Sequence, residues 1–208
     1  MHRGRNTLNN SYIGYFLAFF YTFVAVFYTL LIKKRQTLNN NKSLVHIGRT
    51  YSLHWWNHVI FRVFRTLIWG ICVLRVLWPA VDNYLIPINL SHNLVINLFG
   101  ICLMLIGFCL TMLSNFTLAR DWRSGIDANN STSLVTTGIF KFSRNPGYLG
   151  VAISQLGFFF ALPTIFTLVC LGIGWLALHV QIRLEESHLF NTHKNQYVHY
   201  SEQVRRWI

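Results

Sequence analysis

Apolar residues run through this chain in long blocks separated by short polar and basic stretches. The first block, Tyr12 to Ile32, stops at Lys33-Lys34-Arg35. A hydrocarbon core about 30 Å thick takes about 20 helical residues to cross, so the block is long enough to span it. It is too long for a signal-peptide core and no Ala-x-Ala site follows, which predicts a retained anchor. A second span is centred on Thr66 to Pro79. The basic aromatic stretch before it, Tyr51 to Arg65, suits the interface plane, with Trp55, Trp56 and Trp69 at headgroup level. The third span, Asn93 to Leu118, is interrupted only by small or weakly polar residues. A polar segment from Ala119 to Arg144 follows, and its Asp127-Ala128-Asn129-Asn130-Ser131 stretch predicts a loop. The last apolar region, Tyr148 to Ile182, is too long for one crossing, and Pro163 breaks it near its middle into a helical hairpin. Beyond it Tyr197, Tyr200, Val204 and Trp207 recur at three and four residues, so a tail helix presses one apolar face onto the bilayer or the bundle. The pattern predicts an all-α fold: a polytopic integral membrane bundle of about five transmembrane helices, ending in a hairpin and a cytosolic tail helix.

Composition supports that solvent. Of 208 residues, 53% are hydrophobic and 12% charged, against roughly 25% charged in soluble domains. The formal net charge is +12. No basic-aromatic module of the kind that reads nucleic acid is present, and the basic residues flank the apolar runs, as Arg120 and Arg123 do, so the expected partner is anionic lipid. Lys and Arg cluster at 33 to 65, at 119 to 147 and at the C-terminus, with none between Asp82 and His92, which predicts an outside N-terminus and a cytoplasmic polar segment and tail. Arg75 lies inside the second span, where snorkelling to a headgroup is the expected solution. Cys72, Cys102, Cys109 and Cys170 all fall in apolar runs, as small packing residues do. His54 and His58 have helical metal spacing and His188, His193 and His199 lie in the tail, but paired His-His boxes and an acidic residue between His54 and His58 are missing, so no metal is expected.

The chain has six acidic residues, and Glu185 and Glu186 stand together where the last apolar run ends. Carboxylates at a helix C-terminus oppose its dipole, so an offset is expected from Arg183 or a bound cation. The second polar cluster runs from Thr136 to Gly150. In it Pro146 suits the first turn of a helix and Asn145 its N-cap. Gly138, Gly147 and Gly150 allow close backbone approach, and the free N–H groups of such a helix start attract a carboxylate such as an amino acid's. These residues predict a polar site between a helix start and a helix end at the cytoplasmic face.

The segment Leu134-Val135-Thr136-Thr137-Gly138-Ile139-Phe140, then Arg144-Asn145-Pro146-x-Tyr148-x-Gly150, Glu185-Glu186-x-x-Leu189, Tyr197-x-x-Tyr200 and Val204 resembles the signature of the isoprenylcysteine carboxyl methyltransferase and phospholipid methyltransferase superfamily. The resemblance covers about the last 90 residues in order. It implies that residues 119–208 form a cofactor-binding methyltransferase region behind three N-terminal spans in residues 1–118. S-adenosyl-L-methionine would lie near the cytosolic face, lined by Thr132, Ser133, Leu134, Val135, Phe140, Asn145, Pro146, Gly147, Tyr148 and Glu185, with an opening to the bilayer for a prenylated or lipid-like substrate. Asn145 stands where the family usually has His and Phe140 where Tyr is frequent, and the Asn form resembles a bacterial branch, which implies a bacterial cytoplasmic membrane. Methyl transfer is an in-line displacement in which positioning carries most of the catalysis. A carboxylate acceptor would want a cation, for which Arg144 and Arg183 are candidates; an amine or hydroxyl would want a base, for which Glu186 is the candidate. Trp175 and Phe158, Phe159 and Phe160 are candidates for the border of a lipid-facing entrance. The alternatives are an NADPH-dependent enzyme of the sterol reductase type, whose Arg-Asp-Glu triplet is replaced here by Arg183-Leu184-Glu185, and a non-catalytic membrane scaffold of the same fold. Neither the methyl acceptor nor the oligomeric state is legible.

Overall fold

The computed structural model describes residues 2–38, 45–46, 48–89, 93–118, 124–125 and 134–208. The apolar blocks become five long helices: α1 (His2–Leu38), α2 (Leu53–Leu77), α3 (Leu94–Leu118), α4 (Pro146–Ala161) and α5 (Ile165–Gln203). Short 3-10 turns occupy Pro79–Leu85 and Gly138–Lys141. Two-residue strands, β1 (Val45–His46) and β2 (Ser124–Gly125), pair in parallel. Three helical segments, Ser11–Thr37, Leu94–Leu118 and Ile165–Gln203, are long and apolar enough to cross a membrane. The fold is therefore an all-helical membrane bundle. The other two helices are marginal for different reasons: α4 has 16 residues, about 24 Å of helix, and α2 carries Arg62, Arg65 and Arg75.

The sequence suggests that Tyr51 to Arg65 lies in the interface plane ahead of a separate span. Instead this stretch is continuous with the rest of α2, because no Pro or Gly between Leu53 and Arg65 interrupts the helical hydrogen bonds. Ser52 caps it, accepting from the Trp55 amide at 3.1 Å. Arg75 also departs from expectation. It is 6% exposed and pairs through both Nε and Nη2 with Asp82, so it faces protein and does not snorkel. Pro79 starts the 3-10 turn that carries Asp82 back within reach.

The hairpin forms where Pro163 predicts it. Helix α4 ends at Ala161, and Thr164 opens α5 with a capping box in which its hydroxyl accepts from the Thr167 amide and its amide donates to the Thr167 hydroxyl, both at 3.1 Å. Residues 86–88 bind the hairpin tip: the Ile88 amide donates to the Pro163 carbonyl at 2.9 Å and the Ile165 amide to the Ile86 carbonyl at 3.1 Å.

The closest packing is between α3 and α4, which run antiparallel. Gly100 and Gly107 of α3 face Gly157 and Gly150 of α4, one heptad apart on each helix. A Cβ at Gly157 would lie 2.6 Å from both the Gly100 carbonyl oxygen and the Met104 amide nitrogen; one at Gly150 would lie 2.5 Å from the Gly107 carbonyl oxygen. The two backbones touch, as small-residue interfaces in membranes allow. Polar side chains pin the contact along its length: Asn97 donates to the Ala161 carbonyl at 3.1 Å, Ser154 to the Met104 carbonyl at 3.1 Å and Thr111 to the Gly147 carbonyl at 3.3 Å. On the other side of this pair, Ile13, Leu17 and Phe20 of α1 join Cys72 of α2, Met104 of α3 and Phe158 of α4 in the apolar core.

Gly157→Ala forces one methyl group into the Gly100 backbone, whereas a Cβ at Gly172 meets nothing within 4 Å. Overpacking of this kind costs about 1–3 kcal/mol. Thermal unfolding of the detergent-purified protein is expected to drop for Gly157→Ala and to stay near wild type for Gly172→Ala. Equal behaviour of the two variants would contradict the backbone contact.

Candidate active site

The start of α4 meets the distal half of α5 at a cavity of about 100 Å³. Leu118, Leu134, Val135, Phe140 and Leu189 form its apolar wall; Arg144, Asn145, Glu186, Tyr197 and Tyr200 supply its polar groups.

Glu186 is its anchor, at 8% exposure. Its carboxylate accepts from Arg206 Nη2 at 2.7 Å, from Arg206 Nε at 3.0 Å and from Asn145 Nδ2 at 2.9 Å. The offset expected from Arg183 or a bound cation thus comes from a residue twenty positions away. Arg183 is exposed and donates to His179 Nε2 at 3.0 Å. Arg206 reaches Glu186 because α5 kinks at Lys194, with φ 37° and ψ −110°, and the chain after Gln203 folds over residues 143–145. There the Arg144 amide donates to the Arg205 carbonyl at 3.0 Å, and the Ser143 hydroxyl to the Arg206 carbonyl at 3.2 Å. The Tyr200 hydroxyl donates to the Phe140 carbonyl at 2.7 Å. Hydrogen bonding to Glu186 holds the Arg206 guanidinium above its ordinary range.

Asn145 occupies the N-cap position of α4, but its side chain makes no capping hydrogen bond. Its amide is committed to Glu186, a buried carboxylate whose partners are costlier to lose than one helix N–H bond. Arg144 is held loosely: Nη1 donates to the Tyr197 hydroxyl at 3.4 Å, and the guanidinium lies 6.0 Å from the Tyr197 ring centroid. Its buried Nε makes no hydrogen bond and sits 3.9 Å from Glu186.

Glu185 belongs to a different cluster, facing α2. Tyr148 Oη donates to Glu185 Oε1, as does Gln181 Nε2 at 2.9 Å; Asn57 Nδ2 in turn donates to Gln181 Oε1 at 3.0 Å and to the Ala177 carbonyl at 3.1 Å. Both donors take one carboxylate oxygen, and Oε2 makes no hydrogen bond among the described residues.

Of the residues singled out in the sequence, Leu134, Val135, Phe140, Arg144, Asn145 and Glu186 come together around the cavity. Pro146 is buried as the first residue of α4, and Gly147 packs on Ser114, whose Oγ would be 3.1 Å from an added Cβ. Tyr148 and Glu185 bond to each other away from the cavity lining, and Arg183 points elsewhere. Thr132 and Ser133 lie outside the described residues, as do Arg120, Arg123 and the loop expected at Asp127 to Ser131. Sequence reasoning missed Leu118 and Arg206. Tyr197 and Tyr200 were visible as an apolar tail face and, like Leu189, as part of a motif, but not as walls of the cavity.

The slot sets an aromatic and aliphatic wall beside a cation with a spare N–H and a neighbouring carboxylate. Residues 95–196 match the phospholipid methyltransferase family, itself part of the isoprenylcysteine carboxyl methyltransferase-like superfamily. The match implies a membrane methyltransferase. No curated protein and no solved structure matches the chain.

Removing Arg206 leaves a buried carboxylate short of its charged partner, and hydrogen bonds to charged groups are worth about 1.5–3 kcal/mol. Arg206→Ala is expected to lower thermal stability by that order, and adding Glu186→Gln to recover part of the loss. Two effects that simply add would deny the pairing.

Proposed function

We propose that this protein is an S-adenosylmethionine-dependent methyltransferase that acts on a lipophilic, prenylated or lipid-like acceptor at the cytoplasmic side of its membrane. The observation that carries the proposal is the buried Arg144 Nε, without a hydrogen bond, beside Glu186 in a cavity of the matched region. The basic segments flanking the apolar blocks support the orientation. The Asn145 form of the motif supports a bacterial cytoplasmic membrane.

Bound in the cavity, S-adenosylmethionine supplies an activated methyl group on a sulfonium. Arg144 would hold the carboxylate of its amino-acid head, and Leu134, Val135 and Phe140 would supply the apolar wall for its base. Glu186, neutralised by Arg206 and hydrogen-bonded by Asn145, fixes the wall that Arg144 leans on. The acceptor's reactive atom enters from the bilayer, and close alignment does most of the catalytic work.

The proton separates two acceptor classes. A carboxylate acceptor is already ionised and gives an ester with no proton to remove, as in carboxylate O-methylation. An amine or hydroxyl acceptor must lose a proton. The sequence nominates Glu186 as base, but its oxygens are engaged by Arg206 and Asn145, whereas Glu185 keeps Oε2 open. We assign the base role to Glu185 for such acceptors, with Tyr148 and Gln181 holding the carboxylate in place.

Equilibrium binding in nanodiscs checks the cofactor assignment. S-adenosylmethionine is expected to bind the wild type and at least about tenfold more weakly to Arg144→Gln, the loss of one charged hydrogen bond; Arg183→Gln should bind as the wild type does. NADPH binding in place of S-adenosylmethionine would turn the assignment to a reductase, and binding of neither to a scaffold. With an amine or hydroxyl acceptor, Glu185→Gln should reduce kcat by about 10²–10⁴ and leave cofactor affinity unchanged. An unchanged kcat with a carboxylate acceptor would select O-methylation.

A further inference from the structure

A second cavity, of about 280 Å³, lies where α1 meets the end of α2 and the 3-10 turn that follows it. Ser11, Gly14 and Tyr15 of α1 line it together with Arg75 of α2 and Pro79 and Asp82 of the turn. It shares no lining residue with the cavity at the start of α4. The turn leads directly into residues 86–88, which bind the hairpin tip, so this cavity belongs to the tip end of the bundle. The 16 residues of α4, about 24 Å of helix, separate that end from Asn145.

Two independent observations mark it as a built site. Gly14 is buried, yet a Cβ added there would meet nothing within 4 Å, so the space beside it is not filled by neighbouring side chains. The Arg75 side chain is 4% exposed and donates to Asp82 through Nε and, at 3.1 Å, through Nη2. Its Nη1 is buried and makes no hydrogen bond among the described residues. A buried cationic donor left without an acceptor is costly, and a ligand acceptor would remove that cost. Asp82 has capacity as well: an ionised carboxylate accepts at about four positions, Arg75 occupies two, and the side chain is 34% exposed.

We propose that this cavity binds a compact, neutral, polyhydroxylated ligand, with one hydroxyl accepting from Arg75 and a neighbouring one donating to Asp82. Neutrality follows from the pair, whose charges cancel: an anion drawn to Arg75 meets the Asp82 carboxylate, and a cation drawn to Asp82 meets the guanidinium. Hydroxyl groups follow from the need for an acceptor and a donor side by side, since each hydroxyl can be either. Tyr15 and Pro79 add an aromatic and an aliphatic ring to the lining, which suits the C–H face of a sugar ring. The volume is just below the ~300–1,000 Å³ of pockets for drug-sized ligands, which favours a monosaccharide-sized ligand. The proposal concerns binding alone and does not depend on methyl transfer.

Saturation-transfer NMR with glucose tests it, on the full chain in nanodiscs of dioleoylphosphatidylcholine, a lipid whose headgroup carries no hydroxyl. Wild type is expected to transfer saturation to glucose, and Gly14→Leu, which fills the space and keeps the ion pair, to lose the signal. Gly172→Leu, at a second glycine whose Cβ would meet nothing within 4 Å, should behave as wild type. Arg75→Gln with Asp82→Asn removes both charges together, so no buried charge is stranded. It should weaken glucose binding at least about tenfold, the loss of a charged hydrogen bond. Thermal unfolding establishes that each variant is folded, and the double variant carries the test if Gly14→Leu is not. No glucose signal from wild type, or equal signals from wild type and a folded cavity variant, overturns the site. Stronger transfer to acetate or methylammonium than to glucose overturns its assignment to a neutral ligand.

Discussion

The contact of the α3 and α4 backbones through Gly100, Gly107, Gly150 and Gly157 fixes where chemistry can happen in this molecule. Two helices that touch at the main chain have almost no freedom to slide, because any side chain in the seam collides with a carbonyl or an amide. The seam ends at Gly147, where Thr111 holds the first turn of α4. Asn145 and Pro146 therefore stand at a set height against Leu118, the last residue of α3. A membrane interior gives little hydrophobic drive for helix association, so this close van der Waals fit and its side-chain-to-backbone hydrogen bonds replace it.

On that foundation the two adjacent glutamates take separate duties. Glu186 turns to the cavity and is neutralised by a chain end folded back across the site, so its burial is compensated. Glu185 turns to α2 and is oriented by neutral donors alone, Tyr148 and Gln181. One carboxylate is a strut and the other an available oxygen, a division set by which neighbours each meets within a single helical turn.

The helices were legible because each apolar block is its own signal. The hairpin was legible because Pro163 has few alternatives within an apolar run. Arg144, Asn145 and Glu186 were legible because the motifs carry them as a set. What stayed hidden depends on pairs far apart in the chain: Asn57 meets Gln181 across 124 residues, and nothing local to either announces the other. The clasp by Arg206 was hidden for a further reason. It requires a bend at Lys194 with positive φ, a conformation that a lysine in a helical stretch does not advertise. Arg75 was misjudged because snorkelling and burial look alike until Asp82 is placed beside it.

The claim on which the account rests is that the cofactor lies between the α4 start and the folded-back tail. Ultraviolet cross-linking of methyl-labelled S-adenosylmethionine to the membrane-embedded protein, followed by peptide mapping, tests it most directly. The account predicts label in the peptides that contain Phe140 to Asn145 or Tyr197 to Tyr200, lost when unlabelled cofactor competes. Competable label confined to the α2 peptide around His54 to His58 would contradict it.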